Sequence, residues 1–114
     1  MTAAKSSGED RDETRKAFGE AVNMTAAELE KWLGTEESRS AGQSDGGESV
    51  GHASGRRIVK LLRTRKDDLT EDDLAHMRKV VGYVHRHLAQ RPAGDVTGSA
   101  WRHSLMNWGH DPLK

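Results

Sequence analysis

The chain has 114 residues, of which 33% are hydrophobic and 32% charged, and its formal net charge is zero. This length fits one small domain with a thin core, and the absence of cysteine excludes disulfides and thiolate metal sites. No apolar run approaches the roughly 20 residues that cross a bilayer. We therefore expect a soluble cytoplasmic protein that is not bound to membranes.

The neutral total conceals an uneven distribution of charge. Residues 1–50 contain 6 basic and 11 acidic side chains, whereas residues 56–91 contain 10 basic and 5 acidic ones. Such asymmetry is typical of a charged face or tail. Residues 1–11 are small, polar and charged, and we expect a disordered tail there. The single domain then covers residues 12–114.

The first half of that domain predicts two short helices and a loop. The first helix covers residues 12–22. Thr25 and Glu28 have the spacing of a capping box, and Leu29 and Trp32 follow at helical spacing, which predicts a second helix. Residues 34–53 are rich in Gly and Ser and predict a long mobile loop.

The second half predicts the remaining helices. Ser54 is expected to cap a third helix, and Thr70 with Asp73 begins the longest one, which ends before Pro92. The apolar residues of this longest helix recur at spacings of 3 and 4 and predict the main core stripe: Leu74, Met77, Val81, Val84 and Leu88, with Val80 alongside. A last helix is predicted from about Ala100 to Trp108. No segment has the pattern of a strand, so the predicted fold class is all-α, a small bundle of four or five helices.

Four blocks of sequence carry a family resemblance: NMTAAELEKWL, ESVGHASGRRIVKLL, DLTEDDLAHMRKVVGYVHRHLAQRP and WRHSLMNWGHDPLK. Together they resemble an uncharacterised family, domain of unknown function 3140, over roughly residues 12–114. Members of that family are often labelled DNA-binding proteins. The resemblance therefore implies a nucleic-acid partner, with DNA favoured over RNA, and a nucleoid-associated location in a bacterium. It implies no catalytic residues.

The third helix carries the main candidate site. Its basic residues fall opposite its apolar ones, and lysine and arginine supply most phosphate contacts in DNA complexes. Ser54 and Gly55 are expected to leave backbone N–H groups open at the helix start. The candidate nucleic-acid-binding residues of this segment are Ser54, Gly55, Arg56, Arg57, Lys60, Arg63, Arg65 and Lys66.

A second candidate patch lies on the longest helix. Lys79, Tyr83 and Arg86 recur at i, i+4 and i+7, so that an aromatic ring stands between two cations. This pattern can support a sugar-phosphate backbone or a stacked base. The simpler interpretation is an ordinary exposed face.

Other classes of function have weaker support. The basic helix could instead be a solvated face that pairs with acids such as Glu28, Glu30, Glu36 and Glu37, or an adaptor surface for an acidic protein partner. The six histidines lack metal-ligand spacing, and no nucleophile or phosphate-loop motif occurs. We therefore expect neither a metal nor a cofactor and do not expect an enzyme. The main hypothesis is a small, mainly non-specific DNA-binding protein.

Overall fold

The computed structural model describes residues 7–41 and 48–114, with side chains from residue 10 onward. Its helices are α1 (Ser7–Ala21), α2 (Ala26–Leu33), α3 (Glu36–Ser40), α4 (Val50–Leu62), α5 (Glu71–Leu88) and α6 (Ala100–Asn107), with a 3₁₀ turn at Lys66–Asp68. These ranges contain no strand, so the predicted all-α class is confirmed. There are six α-helices where four or five were predicted.

Helix α1 begins earlier than the sequence suggested. Residues 7–11, which were assigned to a disordered tail, are helical. Arg11 explains this extension, because its guanidinium donates to the Leu69 carbonyl at 2.8 Å and to the Glu71 carboxylate at 3.0 Å. These bonds fasten the first turns of α1 to the start of α5. Residues 1–6 of the expected tail lie outside the described residues.

The predicted loop over residues 34–53 is partly wrong. Helix α3 lies inside it, capped by the Thr35 hydroxyl, which accepts from the N–H of Ser38 at 3.1 Å. Helix α4 also begins inside it, because the Ser49 hydroxyl caps its first turn and accepts from the N–H of His52. Serine and threonine favour N-caps as much as loops. Residues 42–47 of this loop lie outside the described part.

The core lies where α6 meets the other helices. Helix α1 packs along α5 and α2 packs along α4, while α6 contacts α2, α3, α4 and α5. The predicted apolar stripe of α5 is buried at Leu74, Met77 and Val84. The α5–α6 contact includes five stacked rings, with neighbouring centroids 4.2–6.3 Å apart: His76, Trp108, Tyr83, His87 and Trp101.

Asn107 joins three helices inside this core. It is 1% exposed, and its Oδ1 accepts from Trp32 Nε1 at 2.8 Å and from Ser38 Oγ at 2.5 Å. Its Nδ2 donates to the Ser38 carbonyl at 3.0 Å. Helices α2, α3 and α6 are therefore fixed to one another through a single amide.

Gly55 allows α4 to approach the same point. A Cβ at this position would lie 2.6 Å from the backbone oxygen of Asn107 and 2.6 Å from Leu33 Cδ2. The backbone oxygen belongs to a packed helix and cannot move aside cheaply. The close crossing of α4 with α6 and α2 therefore requires glycine at residue 55.

Gly55→Ala should lower the free energy of unfolding by about 1–3 kcal/mol, because the added methyl group overpacks this crossing. Urea denaturation followed by circular dichroism measures the change. Gly19→Ala is the matched control, since a Cβ there meets nothing within 4 Å, and it should raise stability by up to about 1 kcal/mol through helix propensity. Equal effects of the two substitutions would contradict the close crossing.

Asn107→Ala should lower the free energy of unfolding by about 2–5 kcal/mol, because it leaves the half-buried Trp32 indole N–H and the buried Ser38 hydroxyl without their acceptor. Asn23→Ala provides the comparison. Asn23 also exchanges two hydrogen bonds, with the backbone of Asp111, but it is only half-buried and water can replace them. Asn23→Ala should lower the free energy of unfolding by about 1 kcal/mol. A decrease as large as that of Asn107→Ala would argue against the buried junction.

Candidate nucleic-acid interface

The exposed face of α4 carries a row of cations. Arg56, Arg57, Lys60 and Arg63 are all exposed, whereas Ile58, Val59 and Leu61 of α4 are buried in the core. We call these four residues the basic ridge. The predicted amphipathic character of this segment is therefore present in the structure. Helix α4 positions the ridge because its opposite face packs along α2.

Ser54 and Gly55 do not take the position that the sequence suggested. Since α4 begins at Val50, both lie beyond its first turn, where backbone N–H groups bond within the helix. Both residues are also buried, and Ser54 Oγ lies 3.0 Å from His76 Nε2. The expected open helix start at Ser54 is therefore wrong, and these two residues serve packing.

Three arginines of the basic ridge are bound to carboxylates. Arg56 donates from Nε and Nη2 to Glu48 at 2.7 and 2.5 Å, and Arg63 donates twice to Glu30 at 3.2 Å. Arg57 makes the longest of these contacts, 3.4 Å to Asp73. The alternative of a face paired with acids is thus realised in part.

The carboxylates that bind the ridge arginines are mostly not the ones that the sequence suggested. Of the four candidates, Glu30 pairs with Arg63, whereas Glu28 accepts a hydrogen bond from Lys114. Glu48 and Asp73 were not considered as partners. Glu48, His52 and Arg56 are spaced at i, i+4 and i+8, which is a signal that could have identified the Glu48 contact.

The remaining cations of this region have no carboxylate within ion-pairing distance among the residues that the structure describes. They are Lys60 on the ridge and Arg65 and Lys66 directly after α4, and all three are exposed. Lysine and arginine side chains in this state can bind phosphate without first releasing another partner.

The second patch is only partly as predicted. Lys79 and Arg86 are exposed on α5, but Tyr83 is half-buried and its ring stacks on Trp108 with centroids 4.2 Å apart. Burial raises the pKa of the Tyr83 phenol. Tyr83 therefore belongs to the packing between α5 and α6, and the expectation of an aromatic side chain standing open between two cations is wrong.

His76 marks the place where the two basic faces meet. Burial lowers the pKa of His76, and the charges of Arg57 and Lys79 lower it further. The contacts between the two helices agree with this, because Ser54 of α4 lies 3.0 Å from His76 and Arg57 of α4 contacts Asp73 one turn before it. Lys79 follows one turn after His76 on α5, and Arg86 lies two turns further along the same helix.

The described residues offer little for other chemistry. No group of three or more His, Asp or Glu side chains in residues 7–41 and 48–114 is arranged to hold a metal ion. Within the same ranges, every helix is too short or too polar to cross a membrane.

A family model described as "Protein of unknown function (DUF3140)" matches residues 17–106. The match covers most of the chain, which therefore belongs to this family. No curated protein and no solved structure shows significant similarity to it.

Glu48 should make stability depend on acid pH. Hydrogen bonds from Arg56 and then His52 lower the pKa of Glu48 from 4.5 to about 2. Because the pKa is lower in the folded state, the stabilisation is complete above pH 4.5 and is lost as the pH falls towards 2. The stability difference between the wild type and Glu48→Gln should therefore shrink over this range in urea denaturation.

The control is Glu20→Gln, which removes an exposed carboxylate that has no ion-pair partner in the described ranges. Its stability difference from the wild type should change less over the same pH range. A difference for Glu48→Gln that stays constant from pH 5 to pH 2 would contradict the bonds of Glu48 to Arg56 and His52.

Proposed function

We propose that this protein binds the phosphate backbone of DNA, mainly without sequence preference, through the basic ridge together with Arg65, Lys66, Lys79 and Arg86. The observation that carries the proposal is that the four ridge cations share one exposed face of α4. Arg57 of this face contacts Asp73 of α5, the helix that carries the exposed Lys79 and Arg86. Contacts to the phosphate backbone position a protein on DNA and carry no sequence information.

The spacing of the ridge suits a nucleic-acid strand. Arg56 and Arg63 are seven residues apart, which is about 10 Å along a helix axis. One strand of duplex DNA presents a phosphate every ~3.4 Å along its axis, so this length spans about three phosphates. A flat row of cations at this spacing can follow a backbone without entering a groove.

The carboxylates on the ridge set the expected affinity. The Arg63–Glu30 pair is largely exposed and the Arg57–Asp73 pair partly exposed, and exposed pairs stabilise a protein by less than about 1 kcal/mol. A phosphate strand offers several charges at once and releases counterions when it binds. The strand can therefore displace these carboxylates, but breaking each ion pair makes the free energy of DNA binding less favourable. Binding should be modest and sensitive to salt.

An acidic protein segment is the second candidate partner. The observation in its favour is that each ridge arginine already holds a carboxylate of this chain, so the surface accepts carboxylates at suitable geometry. In that case the protein is a helical interaction or adaptor module. DNA is favoured because Lys60, Arg65 and Lys66 extend the charge beyond the three paired arginines.

Salt titration tests DNA binding. The affinity for a duplex oligonucleotide, measured by fluorescence anisotropy, should fall linearly with the logarithm of salt concentration. Lys60→Gln with Lys66→Gln should reduce the magnitude of that slope by about two, because each lost phosphate contact reduces it by about one. Lys16→Gln with Lys31→Gln is the matched control, since it removes the same charge from exposed positions on α1 and α2.

Three outcomes separate the candidates. Equal slopes for the two double variants would reject the basic ridge as the binding surface. Competition by a poly-glutamate peptide as effective as competition by DNA of equal charge would favour the acidic protein partner. Tighter binding of a single-stranded or duplex RNA than of DNA would change the nucleic acid but leave the surface as proposed.

A further inference from the structure

Glu48 lies within a cluster of basic side chains at the start of α4. Both nitrogens of the Arg56 fork face its carboxylate, and Nδ1 of His52 contacts the same group. Arg39 lines a cavity of about 290 Å³ together with Glu48, Ser49 and His52. The other two ridge carboxylates differ within the described part of the chain, because Glu30 is bonded to Arg63 and Asp73 to Arg57 and the Thr70 N–H.

Both ring nitrogens of His52 face hydrogen-bond acceptors. Its Nε2 lies 2.8 Å from the Leu33 carbonyl oxygen, while its Nδ1 faces the Glu48 carboxylate. The side chain of His52 is 13% exposed. The Glu48 carboxylate thus contacts one guanidinium and one imidazole ring, and Arg39 lines the adjoining cavity.

The carboxylate keeps its charge in this cluster. Hydrogen bonds from Arg56 and His52 lower the pKa of Glu48 to about 2. At neutral pH, Glu48 therefore stays ionised and is not released from Arg56 and His52 by protonation. Its displacement requires another anion that competes for the same hydrogen-bond donors.

We propose that Arg39, His52 and Arg56 form an anion site that takes one phosphate group, and that Glu48 occupies this site in the unbound protein. A phosphate group offers several acceptor oxygens to a guanidinium fork and to an imidazole N–H, as a carboxylate does, but with greater negative charge. The inference rests on the proposed DNA binding for its biological meaning, because Glu48 would then reduce the affinity of the basic ridge for DNA.

The position of Glu48 permits the exchange. It precedes the N-cap Ser49 and so lies outside α4, which means that its side chain can turn away without disturbing a helical hydrogen bond. The side chain of Arg56 is 64% exposed, so an incoming phosphate can reach it directly. Helix α4 itself stays in place during the exchange.

Inorganic phosphate is the direct probe of the site. In Glu48→Gln, we expect saturable changes in the NMR signals of the His52 ring and the Arg56 Nε–H group, with affinity two- to fivefold higher than in the wild type. This range corresponds to the loss of one competing exposed ion pair. Glu20→Gln carries the same change in net charge on an exposed part of α1 and should bind phosphate as the wild type does.

Two further variants serve as controls for the phosphate titration. Adding Arg56→Gln to Glu48→Gln should abolish the gain, because it removes the fork. If Glu48→Gln does not fold, which circular dichroism would show, Glu48→Asp retains the charge but shortens the side chain, and its phosphate affinity should exceed that of the wild type. Phosphate affinity equal to that of Glu20→Gln in whichever Glu48 variant folds would overturn the anion site.

DNA titrations at low salt distinguish failure of this inference from failure of the proposed function. DNA binding that Glu48→Gln leaves equal to that of Glu20→Gln, with no gain for phosphate, would reject the anion site and leave the ridge intact. A phosphate gain in Glu48→Gln without DNA binding by any variant would reject the proposed function and support the anion site. The expected result is that Glu48→Gln binds both phosphate and DNA two- to fivefold more tightly than the wild type does.

Discussion

The amide of Asn107 is the contact on which the arrangement of the helices depends. It accepts from Trp32 and Ser38 and returns a hydrogen bond to the Ser38 carbonyl, so it satisfies polar groups of α2 and α3 that would otherwise be buried without partners. The backbone carbonyl of the same residue touches Gly55 of α4. With few apolar side chains available, this protein fixes four helices through one polar junction.

The junction also determines where the basic ridge lies. Gly55 brings one face of α4 against α6, and the ridge then faces solvent because it occupies the opposite side of the same helix. His76 of α5 stacks on Trp108 and lies 3.0 Å from Ser54 of α4. The same packing therefore holds α5, which carries Lys79 one turn after His76, against the helix that carries the ridge. The cationic surface is therefore a consequence of the packing, although none of its charges takes part in the core.

The sequence predicted those features that depend on local patterns. The capping boxes at Thr25 and Thr70 and the apolar stripe of α5 follow from spacing alone, and both capping boxes are present. The start of α4 was misplaced because Ser49 and Ser54 are equally good N-caps by residue type. The role of Asn107 was missed because a single polar residue in a helix carries no periodic signal.

The candidate site was harder to predict than the fold. The ridge arginines could be placed on one face, but their partners come from separate elements: Glu30 lies on α2 and Asp73 on α5. Contacts between residues 16 or 33 positions apart can be predicted only when the tertiary arrangement of the helices is known. Tyr83 illustrates the same limit, because its spacing relative to Lys79 is correct while its ring is held by Trp108 on another helix.

The order of the helices along the chain bears on how the protein is made. Asn107 belongs to α6, the last helix, yet its partners are near residue 35. While the ribosome is still synthesising the chain, α2, α3 and α4 emerge without the residue that joins them. Helix α2 can pack along α4 before that point, whereas the junction between α2 and α3 can close only when residue 107 has left the exit tunnel.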